Sequence, residues 1–188
     1  EHMVKAPYGG NFEKSITDVY LSTEVTSIGD DAFVNCWSLT SITTPNSVTT
    51  IGNNAFMYCS GLTSITFFNP IENGEIGMYA FERCRGLKRI DIGSGVTKIG
   101  DMAFFDIITH DASDDNYFPP ESDIVVYCHA TTPPEVRGRG AGSHYRNSPF
   151  VYSGTTSNNG RYGYLYKPVV YVPCSSMAAY KASPWNYY

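Results

Sequence analysis

Five cysteines are the first residues of this 188-residue sequence that suggest chemistry, and their spacing decides which chemistry is available. Three of them, Cys36, Cys59 and Cys84, recur at intervals of 23 and 25 residues. A zinc site needs close pairs such as C-x-x-C or H-x-x-x-H, and the sequence contains neither kind of pair. We therefore predict no metal and no other cofactor, and we expect these three thiols to lie reduced in the protein interior.

A nucleophilic cysteine activated by histidine is the second chemistry to consider. Cys128 is followed directly by His129, and consecutive side chains in a strand point to opposite faces. No sequence motif of a catalytic cysteine surrounds Cys128. We therefore predict that the chain is not an enzyme. A disulfide between Cys128 and Cys174 is conceivable but not expected.

Two further groups of side chains suggest binding rather than catalysis. The acidic residues 111–116 offer oxygen atoms to calcium, but they lack the alternation of an EF-hand loop, so a solvated loop is the favoured interpretation. Tyr162 and Tyr164 would share one face of a strand and could offer their rings to a protein or to a sugar. The alternative is that these tyrosines only pack against the end of the fold.

The composition excludes two classes of partner. The formal net charge is -5 and the 13 lysines and arginines are scattered, so we predict no nucleic-acid binding. No apolar run approaches the roughly 20 residues that a membrane-spanning helix needs. Hydrophobic residues make up 42% of the chain, which is enough for a continuous core.

An internal repeat must supply the elements that position these residues. The pair Ala-Phe recurs at steps of 23, 25 and 23 residues. Its copies are Ala32-Phe33, Ala55-Phe56, Ala80-Phe81 and Ala103-Phe104. A cysteine follows each of the first three pairs, and Ile107 takes its place after the fourth. One coil of this length cannot bury its apolar residues alone, so the pattern predicts stacked coils.

A glycine precedes every Ala-Phe pair by three residues. The four glycines are Gly29, Gly52, Gly77 and Gly100. We expect them where the chain turns sharply, with positive φ angles that other residues rarely adopt.

The full pattern V-T-x-I-G-x-x-A-F-x-x-C-x-x-L-x-x-I resembles the BspA-type leucine-rich repeats of bacterial surface proteins, and the resemblance covers residues 16–104. The segments around residues 125–134 and 170–185 are similar to the closing part of such proteins. The resemblance implies a leucine-rich-repeat solenoid, a right-handed superhelix of mainly short parallel β-strands with short helical or 3-10 turns and an irregular C-terminal cap. It also implies cell-surface or secreted placement, with the leader removed from this chain, and adhesion-like protein binding without enzyme activity.

We divide the chain into three parts. Residues 1–3 are interpreted as a cloning remnant, residues 4–105 as an N-terminal half repeat plus four copies, and residues 106–188 as a degenerate last repeat and cap. In the cap we predict strands over residues 124–128 and 169–172. Ser175 or Ser176 is expected to cap a short helix that ends near Ala182, with Trp185 packed over the open end.

The strand of each repeat should expose alternate residues in two columns across the coils. One column contains Asp18, Ser41, Ser64 and Arg89, and the other contains Tyr20, Thr43, Thr66 and Asp91. We predict that this face binds a protein partner, such as an extracellular protein of a host. The alternatives are a structural spacer within a larger surface protein, and glycan binding through Tyr162 and Tyr164.

Overall fold

Two parallel β-sheets run along a single solenoid and enclose its core between them, which confirms the predicted repeat fold. The computed structural model describes residues 3–4, 15–67, 74–107, 124–136, 149, 151–155, 161–165 and 168–187. Five coils contribute one strand to each sheet, a sixth strand extends one of the sheets, and the apolar residues between the sheets form the core.

The larger sheet, here called the front sheet, has six parallel strands. In spatial order they are β2 (Asp18–Tyr20), β4 (Ser41–Thr44), β6 (Ser64–Phe67), β8 (Arg89–Ile92), β10 (Val125–Cys128) and β13 (Val169–Tyr171). The two strands predicted in the cap are therefore β10 and β13, and they extend the sheet of the repeats.

The smaller sheet, the back sheet, has five short parallel strands. They are β1 (Met3–Val4), β3 (Ser27–Ile28), β5 (Thr50–Ile51), β7 (Gly74–Ile76) and β9 (Val96–Ile99). A separate antiparallel pair is formed by β11 (Val151–Thr155) and β12 (Arg161–Leu165). Met3, which we had placed in a cloning remnant, pairs with Ser27 of the back sheet.

A stack of phenylalanines forms the centre of the core. Phe33, Phe56, Phe81 and Phe104 are all buried, and successive rings lie 5.2, 5.1 and 5.4 Å apart with interplanar angles of 11°, 4° and 8°. The equal spacing of the rings follows from the equal spacing of the coils.

The repeated cysteines line the core beside this stack, as predicted. Cys36, Cys59 and Cys84 are buried thiols that form no disulfide. Cys59 Sγ donates to the carbonyl oxygen of Phe33 at 3.1 Å, and Cys84 Sγ donates to that of Phe56 at 3.0 Å. Each thiol thus adds a second hydrogen bond to a carbonyl group of the preceding coil that already accepts one from a backbone N–H, and a purely apolar side chain could not add it.

Gly52, Gly77 and Gly100 do not adopt the positive φ angles that we expected; their role is close contact between coils. A Cβ atom added to Gly77 would lie 2.6 Å from the carbonyl carbon of Gly52, and one on Gly100 would lie 2.7 Å from that of Gly77. Neither neighbour can move aside, because both are backbone atoms. The missing side chain, and not backbone freedom, is what these positions require.

Positive φ angles occur instead at two positions in each turn between the back and front sheets. The pairs are Asp31 and Asn35, Asn54 and Tyr58, Tyr79 and Arg83, and Met102 and Asp106. The backbone between them bonds to the next coil, as in the 2.7 Å hydrogen bond from Phe56 N to the carbonyl oxygen of Ala80. Such coil-to-coil bonds hold the residues in a conformation that side chains otherwise disfavour.

The C-terminal helix α1 (Met177–Ala182) closes the described end of the solenoid. Tyr180 and Trp185 are buried and meet edge to face, and Trp185 Nε1 donates to the carbonyl oxygen of Pro134 at 2.9 Å. Ser176 occupies the N-cap position, but its side chain makes no capping hydrogen bond. A 3-10 turn (Cys174–Ser176) leads straight into α1, so Ser176 has helical rather than extended backbone and its side chain is buried.

Candidate binding face on the front sheet

The strand register places the predicted columns side by side across the front sheet. Partner residues on neighbouring strands align as Asp18, Ser41, Ser64 and Arg89, and as Tyr20, Thr43, Thr66 and Asp91. The register continues beyond β8: Val125 and Val169 follow Arg89, and Tyr127 and Tyr171 follow Asp91. We call the row that contains Arg89 the arginine column, and the row that contains Tyr20, Tyr127 and Tyr171 the tyrosine column.

The last two members of each column were not predicted from the sequence. Residues 106–123 interrupt the repeat, so the period could not be counted from β8 to β10. The alternation Val125, Tyr127 and Val169, Tyr171 within the two predicted strands was the available signal, because it matches Arg89 and Asp91 two residues apart.

The middle of the face carries short hydroxyl side chains, whereas its two ends carry exposed aromatic rings. Ser41 and Thr43 are exposed, and Ser64 and Thr66 are half-buried. Tyr20 at one end is 92% exposed, and Tyr171 at the other end is 53% exposed. The aromatic side chains that reach solvent on this face therefore lie at its ends.

Arg89 and Asp91 form an ion pair that changes the expected surface. Arg89 Nε and Nη2 lie 2.5 and 2.8 Å from Asp91 Oδ2 and Oδ1, so the pair is bidentate. The hydrogen bond to Asp91 raises the pKa of the Arg89 guanidinium above its usual range. We expected Asp91 to be exposed, but it is only 7% exposed, because Arg89 and its neighbours cover it.

Aromatic rings extend this ion pair across the next two strands. The guanidinium of Arg89 lies 4.1 Å from the ring centroid of Tyr127. The ring of Tyr127 in turn stacks on that of Tyr171, with centroids 5.0 Å apart and an interplanar angle of 13°. We call Arg89, Asp91, Tyr127 and Tyr171 the arginine–tyrosine cluster. His129 Nε2 lies 3.7 Å from Asp91 Oδ1, at the rim of this cluster.

A concave pocket lies at the other end of the face. It has a volume of about 300 Å³ and is lined by Asp18, Val19, Tyr20, Leu21, Ser41, Thr43 and Pro45. The hydroxyl group of Thr17 donates to Asp18 Oδ2 at 2.9 Å. We call this the Tyr20 pocket.

Cys128 has the environment of a structural residue. Its Sγ lies 3.0 Å from the hydroxyl oxygen of Tyr180, which donates to the carbonyl oxygen of Ala130 at 2.9 Å. Burial raises the pKa of the Cys128 thiol, which is the opposite of what activates a nucleophile. Cys174 is an exposed free thiol, so these two cysteines form no disulfide in this structure.

Two predicted groups fall partly or wholly outside the described residues. The acidic residues 111–116 lie outside them. Tyr162 and Tyr164 belong to β12, where their backbones pair with Gly154 and Tyr152, and their side chains lie outside the described part. Among the described residues, no His, Cys, Asp and Glu side chains are grouped as a metal ion requires. Over the same residues, no helix has the length and apolar character needed to cross a membrane.

The repeats match a known family. A model described as BspA type leucine rich repeat region matches residues 11–110 in six copies. The crystal structure of a leucine-rich repeat protein from Bacteroides ovatus ATCC 8483 is similar, with 26% sequence identity and a TM-score of 0.46. The alignment covers 69% of this chain and 42% of that protein, so the chain spans less than half of its length. No curated protein matches the chain.

Proposed function

Because the chain belongs to the BspA-type leucine-rich repeat family, we propose that it is a non-catalytic module that binds a protein partner through its front sheet. Leucine-rich repeat folds are generally non-catalytic, and they commonly bind proteins. The family is typically found on the cell surface or secreted, which supports a surface or secreted location and an adhesin-like role for this chain.

The arginine–tyrosine cluster is the observation that carries this proposal. Arginine and tyrosine dominate the binding free energy of protein interfaces far more often than serine or threonine. Arg89 is already held in place by Asp91 and Tyr127, so little conformational entropy is lost when a partner contacts it. Tyr171 and Val169 are half exposed beside it and offer apolar area for burial.

The remainder of the face suits the rim of such an interface. The hydroxyl groups of Ser41, Thr43, Ser64 and Thr66 can donate or accept hydrogen bonds and carry no charge that must be desolvated. They stand on strands that are paired on both sides, so the backbone beneath them is rigid.

The test is a binding screen of the purified chain against immobilised extracellular-matrix proteins. We expect at least one partner whose affinity falls about tenfold or more when Tyr171→Ala or Arg89→Ala removes a cluster side chain. Met78→Ala is the matched control, because Met78 is 44% exposed but lies in a turn away from the front sheet. A partner whose affinity responds to Met78→Ala and ignores both cluster variants would contradict the proposal.

A structural spacer is the second candidate. The uncharged hydroxyl rows in the middle of the face favour it, because such residues rarely dominate binding. A screen without any partner, combined with a glycan array without any ligand, would support the spacer. A glycan that binds wild-type protein but not Tyr162→Ala or Tyr164→Ala would instead place recognition on β12.

A further inference from the structure

The arginine–tyrosine cluster contains an internal example of guanidinium recognition. A carboxylate, Asp91, holds the charge through two hydrogen bonds, and an aromatic ring, Tyr127, covers one face of the planar group at 4.1 Å. These are the two interactions that distinguish guanidinium from an ordinary cation, since the group is both a bidentate donor and a stacking surface.

The opposite end of the front sheet contains the same two groups without the cation. Asp18 and Tyr20 are two residues apart on β2, so their side chains rise from the same face of the strand, and both are exposed. Asp18 Oδ2 accepts a hydrogen bond from Thr17. Within the described part of the chain, no lysine, arginine or histidine forms an ion pair with Asp18.

The Tyr20 pocket supplies the space that a side chain would need. Its volume of about 300 Å³ is at the lower end of ligand pockets, which suits one side chain rather than a whole small molecule. Val19, Leu21 and Pro45 provide apolar wall for a methylene stem, while Ser41 and Thr43 offer hydroxyl oxygens that can accept hydrogen bonds.

We propose that the Tyr20 pocket receives an arginine side chain of the protein partner. Its guanidinium pairs with the Asp18 carboxylate and stacks on the ring of Tyr20, as Arg89 does with Asp91 and Tyr127. The formal net charge of -5 favours a basic partner segment. The inference deepens the proposed function, because the pocket and the arginine–tyrosine cluster are the two ends of one face.

The experiment titrates acetyl-Gly-Arg-Gly-amide into the full chain and follows backbone amide shifts by NMR. We expect saturable shifts in β2 and β4, and about tenfold weaker binding of the matched citrulline peptide, which keeps the shape and loses the charge. Asp18→Asn should weaken binding of the arginine peptide about tenfold, and Tyr20→Leu about fivefold. Glu24→Gln is the control, because it removes an equal charge from an exposed turn outside the pocket.

Equal binding of the arginine and citrulline peptides would overturn the inference, and so would equal effects of Asp18→Asn and Glu24→Gln. Shifts confined to β10 and β13 would also overturn it. The outcome is separable from that of the proposed function. A partner that depends on Tyr171 while the arginine peptide fails to bind leaves the front sheet as the interface and removes only the arginine pocket.

Discussion

The glycine column shows how a single missing atom sets the distance between coils. The V-T-x-I-G strand of one coil lies so close to the next that the Cβ of an alanine at position 77 would meet backbone atoms of Gly52 and Asn53 at 2.6 to 2.7 Å. The sequence repeat marked these glycines correctly as special, but a repeat cannot distinguish a positive φ from a close contact, since both select glycine.

We predict that Gly77→Ala destabilises the fold by about 2 kcal/mol or more, because a side chain forced against backbone must separate two coils. Urea denaturation followed by circular dichroism measures the change in the free energy of unfolding. Met78→Ala, at the next residue, truncates a side chain that is already partly exposed, and it should change that free energy by about 0.5 kcal/mol or less. Equal stability of Gly77→Ala and wild type would refute the close contact.

Glu82 is a second residue whose effect follows from its surroundings. It takes the place that Val34, Met57 and Phe105 hold in the other turns, and it is buried. Burial raises the pKa of its carboxyl group above the ordinary value of 4.5; the nearby Arg83 opposes this shift and Asp106 adds to it. An acid with a raised pKa binds its proton more tightly in the folded state, so its contribution to stability is lost as pH rises above about 4.5.

Glu82→Gln should therefore gain stability relative to wild type as pH rises from 4 towards 7. The glutamine keeps the shape and cannot ionise, so the difference in free energy of unfolding between the two proteins should grow across this interval. Denaturant titrations at several pH values measure this difference, and Glu24→Gln at an exposed turn is the control. A difference that stays constant would show that Arg83 offsets the effect of burial, and one that shrinks with rising pH would show that Arg83 stabilises the Glu82 carboxylate more than burial disfavours it; either result would contradict the prediction.

At the scale of elements, the repeat made the front sheet predictable and left the back sheet unassigned. The alternation in Ser41–Thr44 and Ser64–Phe67 is long enough to identify a strand and its outward residues. The strands Ser27–Ile28 and Thr50–Ile51 contain two residues each, which is too short for any alternation to appear. These short strands form only because the strands of neighbouring coils pair with them. Such pairing depends on the stacked coils and cannot be predicted from one segment alone.

The candidate site was predictable only as far as this repeat extends. Asp18 to Arg89 and Tyr20 to Asp91 follow from counting, whereas Tyr127 and Tyr171 come from strands beyond the interruption. Asp91 is covered because the side chain of Arg89, two residues earlier on the same strand, folds over it. The repeat period does not indicate such a contact between side chains of the two columns.

The phenylalanine stack joins the elements into one core. Phe56 is fully buried between Phe33 and Phe81, with ring centroids 5.2 and 5.1 Å away. We predict that Phe56→Ala costs about 3–5 kcal/mol, because it removes a ring from the middle of the stack and leaves a cavity. Chemical denaturation measures this loss. Tyr20→Ala, at an exposed aromatic residue, should cost about 0.5 kcal/mol or less and also shows that variants of the Tyr20 pocket fold. Similar costs for the two variants would contradict the central role of the stack.

At the scale of the whole molecule, stacking coils turns weak single strands into a rigid face. Across the six strands of the front sheet, Tyr20 lies on the first strand and Tyr171 on the last, with hydroxyl side chains on the strands in the middle. A partner that contacts both ends would gain from two anchors on one rigid support, since the second contact no longer has to overcome the loss of free rotation and translation.

Binding of a protein partner to the front sheet can be tested by hydrogen–deuterium exchange of the full chain with and without that partner. We expect slower exchange in β8, β10 and β13 beneath the arginine–tyrosine cluster and in β2 beside the Tyr20 pocket, with β3, β5 and β7 of the back sheet unchanged. Protection of the back sheet or of the turns between the sheets, with the front sheet unchanged, would contradict the claim.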